Sequence, residues 1–207
     1  MYKESKFKSF NISNFSPFYP ILSFALLFII GICVGSILVG KIQYLFEYSS
    51  SNIVDFFNIR QNENIFSIIY NSFLMSFPIY VATFLLGTSF IGCVTAPIIV
   101  LLVGFKFGLL TGNLYMSYKL EGIMFNALVL MPIVLSFIIG LFVLSKEAFS
   151  FSFDLAKTCI KNNKPVNIYS KFRLYCLKSV STLVCVLVSI IFDVGLSTLF
   201  ISYFTFI

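Results

Sequence analysis

Charge is absent from long stretches of this 207-residue chain, and that absence limits what the chain can fold into. Five uncharged apolar stretches are separated by polar segments, and Lys and Arg gather mainly in the segments on one side. Pro20–Val39 (PILSFALLFIIGICVGSILV) is the first of these stretches. It matches the about 20 apolar residues that a helix needs to cross a hydrocarbon core. Glu63 and Lys106 bracket 42 uncharged residues, broken by Leu86-Gly87-Thr88-Ser89. That run is about twice what one helix can use. Gly and hydroxylated residues are natural turn formers, so it reads as a helical hairpin over 65–86 and 89–110. A fourth span is expected over 122–145 and a fifth over 179–200, the latter interrupted only by Asp193. With 59% hydrophobic and 11% charged residues, the composition lies far from that of a water-solvated domain. The expected fold is all-α: a polytopic membrane bundle of five spans in one domain over 1–207, with an outer loop 40–64 and a cytoplasmic loop 146–178.

The basic residues orient the bundle. Lys3, Lys6 and Lys8 precede span one, and Lys146, Lys157, Lys161, Lys164, Lys171, Arg173 and Lys178 lie between spans four and five. An odd number of spans puts those two segments on one face. The other face holds only Lys41, Arg60 and Lys119, against Glu47, Asp55, Glu63 and Glu121. Positive-inside bias then places the N-terminus and the 146–178 loop in the cytoplasm and the C-terminus outside. The net charge of +6 follows from this topology and gives some attraction to anionic lipid headgroups. No basic-aromatic pattern for nucleic acid is present. The first span reads as a retained anchor, because its apolar run exceeds the usual signal-peptide length and Gly35-Ser36 lacks a good cleavage context.

The chain has no His, which excludes the H-E-x-x-H zinc site, the Ser-His dyad and the His proton relay. Asp193 alone sits in a span, where an aspartyl protease needs two such residues. Neither a Walker sequence nor a dinucleotide-binding glycine fingerprint occurs. The five cysteines form no C-x-x-C pair and read as small apolar packing residues. The sequence therefore points to a protein without catalytic residues, cofactor or metal.

Several features carry mechanical information. Gly104, Gly108 and Gly112 recur at i, i+4 and i+8, and Gly31 and Gly35 form a second small-xxx-small pair. Such seams let backbones approach closely, either within the bundle or against a partner's transmembrane helix. Pro78, Pro97 and Pro132 lie inside spans and are expected to kink them. Lys106 and Asp193 fall at similar depth toward the outer end of their helices. They pair with each other, or Lys106 snorkels and Asp193 ends its span. Phe149, Phe153, Ala156 and Ile160 follow helical spacing, so 146–178 starts either as an extension of span four ending near Asn162-Asn163 and Pro165, or as a solvated connector. Ile53, Val54, Phe56 and Phe57 suggest a short interfacial helix in the outer loop, a contact site for an extracytoplasmic partner.

The middle of the chain resembles the stage II sporulation protein M family. An LG-S-xx-G turn is matched by Leu86, Gly87, Ser89 and Gly92, and a glycine-spaced helix by Gly104 and Gly108. A later helix proline is matched by Pro132, a Ser-Phe-Ser stretch by Ser150, Phe151 and Ser152, and a terminal acidic residue by Asp193. At Met131-Pro132-Ile133-Val134 the chain departs from the Leu-Pro and polar pair frequent in that family.

The resemblance implies a non-catalytic membrane subunit of the engulfment machinery of endospore-forming bacteria, at the cell membrane or sporulation septum. Its partners would be membrane-associated cell-wall hydrolases resembling stage II sporulation proteins D and P, alongside membrane lipids and a second copy of the chain. Two other classes remain open. One is a small transporter or permease subunit using the kinked helices, Lys106 and Asp193. The other is a general membrane scaffold.

Overall fold

A computed structural model describes residues 18–62, 64–161 and 168–200 of the chain. The leader lysines, Glu63, the Asn162-Asn163 and Pro165 stop signal and residues 201–207 lie outside them. Among the described residues every element is helical: α1 (Phe18–Val39), α2 (Gln43–Asn62), α3 (Ile65–Gly87), α4 (Gly92–Phe125), a π turn (Asn126–Leu130), α5 (Met131–Lys161) and α6 (Ile168–Phe200).

Four helical stretches are long and apolar enough to cross a membrane: Pro20–Val39, Ile65–Gly87, Gly92–Cys159 and Ile168–Phe200. The third is 68 residues long, about 100 Å if straight. It doubles back at Lys119, whose φ of 48° and ψ of −118° leave the helical region. A Cβ on Gly122 would collide with the Leu114 carbonyl oxygen, although eight residues of continuous helix would separate the two by about 12 Å. The stretch is therefore two antiparallel crossings joined by a one-residue reversal, and the chain crosses five times as a polytopic membrane protein.

The exterior is as apolar as the interior, and polar side chains turn inward among buried apolar ones such as Val186 and Ile190. On α6 the buried face carries Ser179, Thr182, Ser189, Asp193 and Ser197, while Val180, Val184, Leu187, Ile191 and Leu199 point outward. Lipid solvates such an apolar exterior. Small and hydroxylated residues then serve close packing and hydrogen bonding between helices.

The structure corrects several expected boundaries. The helix of the third span runs on from 110 to the Lys119 reversal, and that of the fourth continues far beyond 145 to Lys161. The 146–178 loop is helical in its described parts, because the ends of α5 and α6 pack on each other. Phe151 stacks on Tyr175 at 5.3 Å and meets Phe172 at 5.9 Å. Across the same pair, Lys171 Nζ lies 2.5 Å from Asp154 and Lys178 Nζ 2.9 Å from Glu147. By the positive-inside rule this lysine-bearing end is the inner end, and the labels inner and outer below follow it.

The expected proline kinks take a different form. Only Lys119 leaves helical φ/ψ within α4, so Pro97 is passed without a break, and α3 likewise runs through Pro78. At Pro132 the preceding π turn absorbs the strain, with the Met131 amide reaching back to the Asn126 carbonyl. An i to i+5 turn widens the helix where a proline cannot donate.

Candidate functional site

The outer loop contains a full helix rather than a short one. Ser49, Ile53, Phe57 and Arg60 recur at i, i+4, i+8 and i+11 along α2, which places them on one face, and all four are buried. That face lies across the outer end of the bundle. Ser49 Oγ donates to the Leu109 carbonyl at 3.1 Å, and Asn113 Nδ2 donates to the Phe46 carbonyl and to Ser50 Oγ, each at 2.9 Å. Phe57 packs on Phe125 with ring centroids 4.8 Å apart.

The C-terminal end of α2 delivers Arg60 to Asp193 of α6. Arg60 Nη2 lies 2.5 Å from Asp193 Oδ2, and Nε donates to Asp193 Oδ1 at 3.1 Å. Ser197 Oγ donates to Oδ1 at 3.0 Å, and Ser72 Oγ of α3 donates to Oδ2. Arg60 Nη1 donates to the Phe56 carbonyl at 3.1 Å, and its guanidinium carbon stands 3.3 Å from the Phe56 ring centroid. Arg60 and Asp193 are 7% and 4% exposed. A buried pair offsets its desolvation only when the remaining donors and acceptors are also satisfied, and these contacts meet that condition. The network ties α2, α3 and α6 together.

The expected pairing of Lys106 with Asp193 does not form, and Asp193 does not end its span. α6 continues to Phe200, and Asp193 has a bidentate partner in Arg60 of the outer loop. Lys106 is exposed and makes no ion pair among the described residues. The depths were nonetheless well matched. At 1.5 Å per residue, Ser72 from Gly87, Lys106 from Gly92 and Asp193 from Lys178 all stand about 21 to 23 Å above the inner end. In a core about 30 Å thick this is the outer leaflet.

Lys106 and Asp193 do line one cavity of about 250 Å³. α2 roofs it, and α3 to α6 form its walls. Arg60, Lys106 and Asp193 are its charged groups, Val134 lies just beneath them, and Ile79, Val103 and Phe137 line its lower part. Met75 on α3 and Lys106 on α4 are both cavity-lining and exposed, so the cavity opens sideways between those helices.

The glycine seams face each other. A Cβ on Gly31 would sit 2.5 Å from the Leu101 carbonyl oxygen, and one on Gly35 would strike that of Phe105. Gly104 abuts Phe28, Gly108 abuts Ile32 and Gly112 abuts Ser36. The constant offset along both chains means that α1 and α4 run parallel, backbone against backbone. Of the two uses expected for these seams, the structure uses them for packing inside the bundle. Gly87 and Gly92 serve elsewhere: a Cβ on Gly87 would meet Ala148, and one on Gly92 would meet Gly87 and Ser152.

Ser152 closes the inner turn from another helix. The N-terminus of α4 has no side-chain cap of its own, so its first amides need outside acceptors. Ser152 Oγ accepts from the Cys93 amide at 3.0 Å and donates to the Ser89 carbonyl at 2.6 Å, while its side chain is fully buried. Ser152→Ala should cost about 1 to 2 kcal/mol, the usual value of a lost cap. Chemical denaturation of the chain in lipid micelles measures this, and a cost below a few tenths of a kcal/mol would remove the capping role.

Arg60, Ser72, Ser197 and the capping by Ser152 were missed from sequence. The i, i+4, i+8, i+11 pattern of α2 was the available signal for Arg60. No family model, curated protein or solved structure matches the chain.

Proposed function

We propose that this chain is a non-catalytic membrane subunit that anchors or organises peptidoglycan-degrading partners during endospore engulfment, as its resemblance to the stage II sporulation protein M family implies. The reading is supported chiefly by the outer tip of the bundle. With Gly92 at the inner edge of a hydrocarbon core about 30 Å thick, Lys119, 27 residues along the helix, stands about 40 Å up and about 10 Å beyond that core. Tyr115, Met116, Ile123 and Met124 are exposed there, and Leu120 is 72% exposed. Apolar side chains held above lipid on a rigid hairpin suit contact with an extracytoplasmic protein. Methionines adapt to an irregular partner. The residues behind the resemblance also gather: Gly87, Ser89, Gly92 and Ser152 meet at the inner turn. In this reading the partners perform the chemistry.

Copurification from sporulating membranes tests the role. A cell-wall hydrolase should be recovered with the intact chain and lost with Leu120→Glu combined with Met124→Glu. Recovery of no hydrolase, or normal engulfment in a deletion strain, would reject it. The cavity holding Lys106 and Asp193 favours a second reading, a small transporter or permease subunit. Flux across reconstituted vesicles that disappears in Asp193→Asn would put that reading first.

A further inference from the structure

We propose that the cavity beneath α2 holds one acyl chain of a monoanionic phospholipid from the outer leaflet, with the lipid phosphate against the Lys106 ammonium. The inference goes beyond the anchoring role and stands on three observations.

The first is charge. Arg60 and Asp193 neutralise each other through two hydrogen bonds, so Lys106 leaves the cavity lining with one net positive charge. A phosphate monoanion complements that charge. A zwitterionic headgroup brings its own cation, which Lys106 repels.

The second is polarity along the membrane normal. The charged groups stand about 21 to 23 Å above the inner end. Ile79, eight residues from Gly87, stands at about 12 Å, and Phe137, ten residues from Glu147, at about 15 Å. The three charged groups and the polar face of α2 with Ser49 and Asn52 thus stand above Ile79, Val103 and Phe137, while Leu109, Leu110 and Leu130 line the upper wall and Ser76 and Ser189 the lower one. The charge that places the phosphate lies toward the outer end, as an outer-leaflet lipid requires.

The third is access and size. The opening lies between Met75, 57% exposed, and Lys106, so it faces the lipid phase directly. About 250 Å³ of largely apolar space exceeds the about 150 Å³ that accommodates a benzene molecule in a protein interior, so it takes the upper segment of an acyl chain, with the remainder left in the bilayer. Lipid chains lie against the portal at all times, and one entering it needs no passage through water. The Lys106 side chain is long enough to lift its ammonium toward the headgroup while its methylenes line the entrance.

The full chain reconstituted in nanodiscs of equal phosphatidylglycerol and phosphatidylcholine, then released for native mass spectrometry, provides the test. Wild-type chain should retain phosphatidylglycerol over phosphatidylcholine by roughly fivefold, the effect of one basic residue near an anionic headgroup. Lys106→Gln removes an exposed charge with no ion-pair partner among the described residues, so the fold should persist and the ratio should fall to near one. Val134→Phe fills the cavity just beneath the charged groups, where the acyl chain must pass, and should strip both lipids from the chain. Equal retention of the two lipids by wild type, an unchanged ratio in Lys106→Gln, or undiminished retention in Val134→Phe overturns the proposal.

Discussion

Asp193→Ala is expected to cost the bundle about 3 to 5 kcal/mol of stability, because it leaves the Arg60 guanidinium buried without its counter-ion. The carboxylate accepts from Nε and Nη2 of Arg60 and from the hydroxyls of Ser72 and Ser197, so its removal strips donors on three helices at once. In hydrocarbon these donors have no water to turn to. Arg60 can regain solvent only by pulling the end of α2 off the bundle, which also undoes the Phe57 and Phe125 contact. The destabilisation should therefore appear with faster hydrogen exchange over 43–62 and little change in α1. Arg60→Met combined with Asp193→Leu should recover most of the loss, since replacing a whole buried pair with apolar side chains is commonly neutral or stabilising. Arg60→Lys should not, because an ammonium cannot make the two parallel bonds of a guanidinium. Unfolding titrations in lipid micelles decide the matter. An Asp193→Ala chain within 1 kcal/mol of wild type would show that the pair contributes little net stability.

How far the sequence reveals this arrangement depends on the range of the interaction involved. Membrane class, number of crossings and glycine seams are local properties: uncharged length, turn residues and four-residue spacing are visible in a window of 20 residues. The hairpin at Gly87 was legible for the same reason. Arg60 and Asp193 are 133 positions apart, and nothing within either segment announces the other. Asp193 invites pairing with a basic residue in a span, and Lys106 is the one span residue that offers it; the two stand at similar height and line one cavity without pairing. Arg60 counts among the outer-face charges in the topology argument, although its spacing from Ser49, Ile53 and Phe57 places it on the buried face of a helix. The run of α5 past 145 was legible in the helical spacing of Phe149, Phe153 and Ala156, one of the two readings of that segment, whereas the helical start of α6 was not, because its stabilisation comes from packing on α5. Asp154 with Lys171 and Phe151 with Tyr175 read as ordinary loop residues until the two helices are laid side by side.

Gly108→Leu is expected to cost 3 kcal/mol or more and to separate α1 from α4, while Gly195→Leu should leave stability unchanged or raise it. Both substitutions place the same side chain on a helix in the same solvent, and they differ in what it meets. At Gly108 the first added carbon already overlaps the Ile32 carbonyl oxygen and stands 2.8 Å from Ile32 Cα. Backbone atoms cannot rotate aside as a side chain can, so α1 must move bodily. Overpacking of a core commonly costs about 1 to 3 kcal/mol, and the Gly31, Gly35, Gly104 and Gly112 contacts along the same seam would be lost with it. Lipid gives no hydrophobic return for the separation, since helix association in a bilayer rests on the packing being removed. Nothing lies within 4 Å of a Cβ on Gly195. Leucine there meets open lipid-facing space and gains about 1 kcal/mol of helix propensity over glycine. Unfolding of the two variants in the same micelles makes the comparison internal, cancelling any general effect of added bulk. Equal shifts at the two positions would mean that close backbone approach of α1 and α4 does not hold the bundle together.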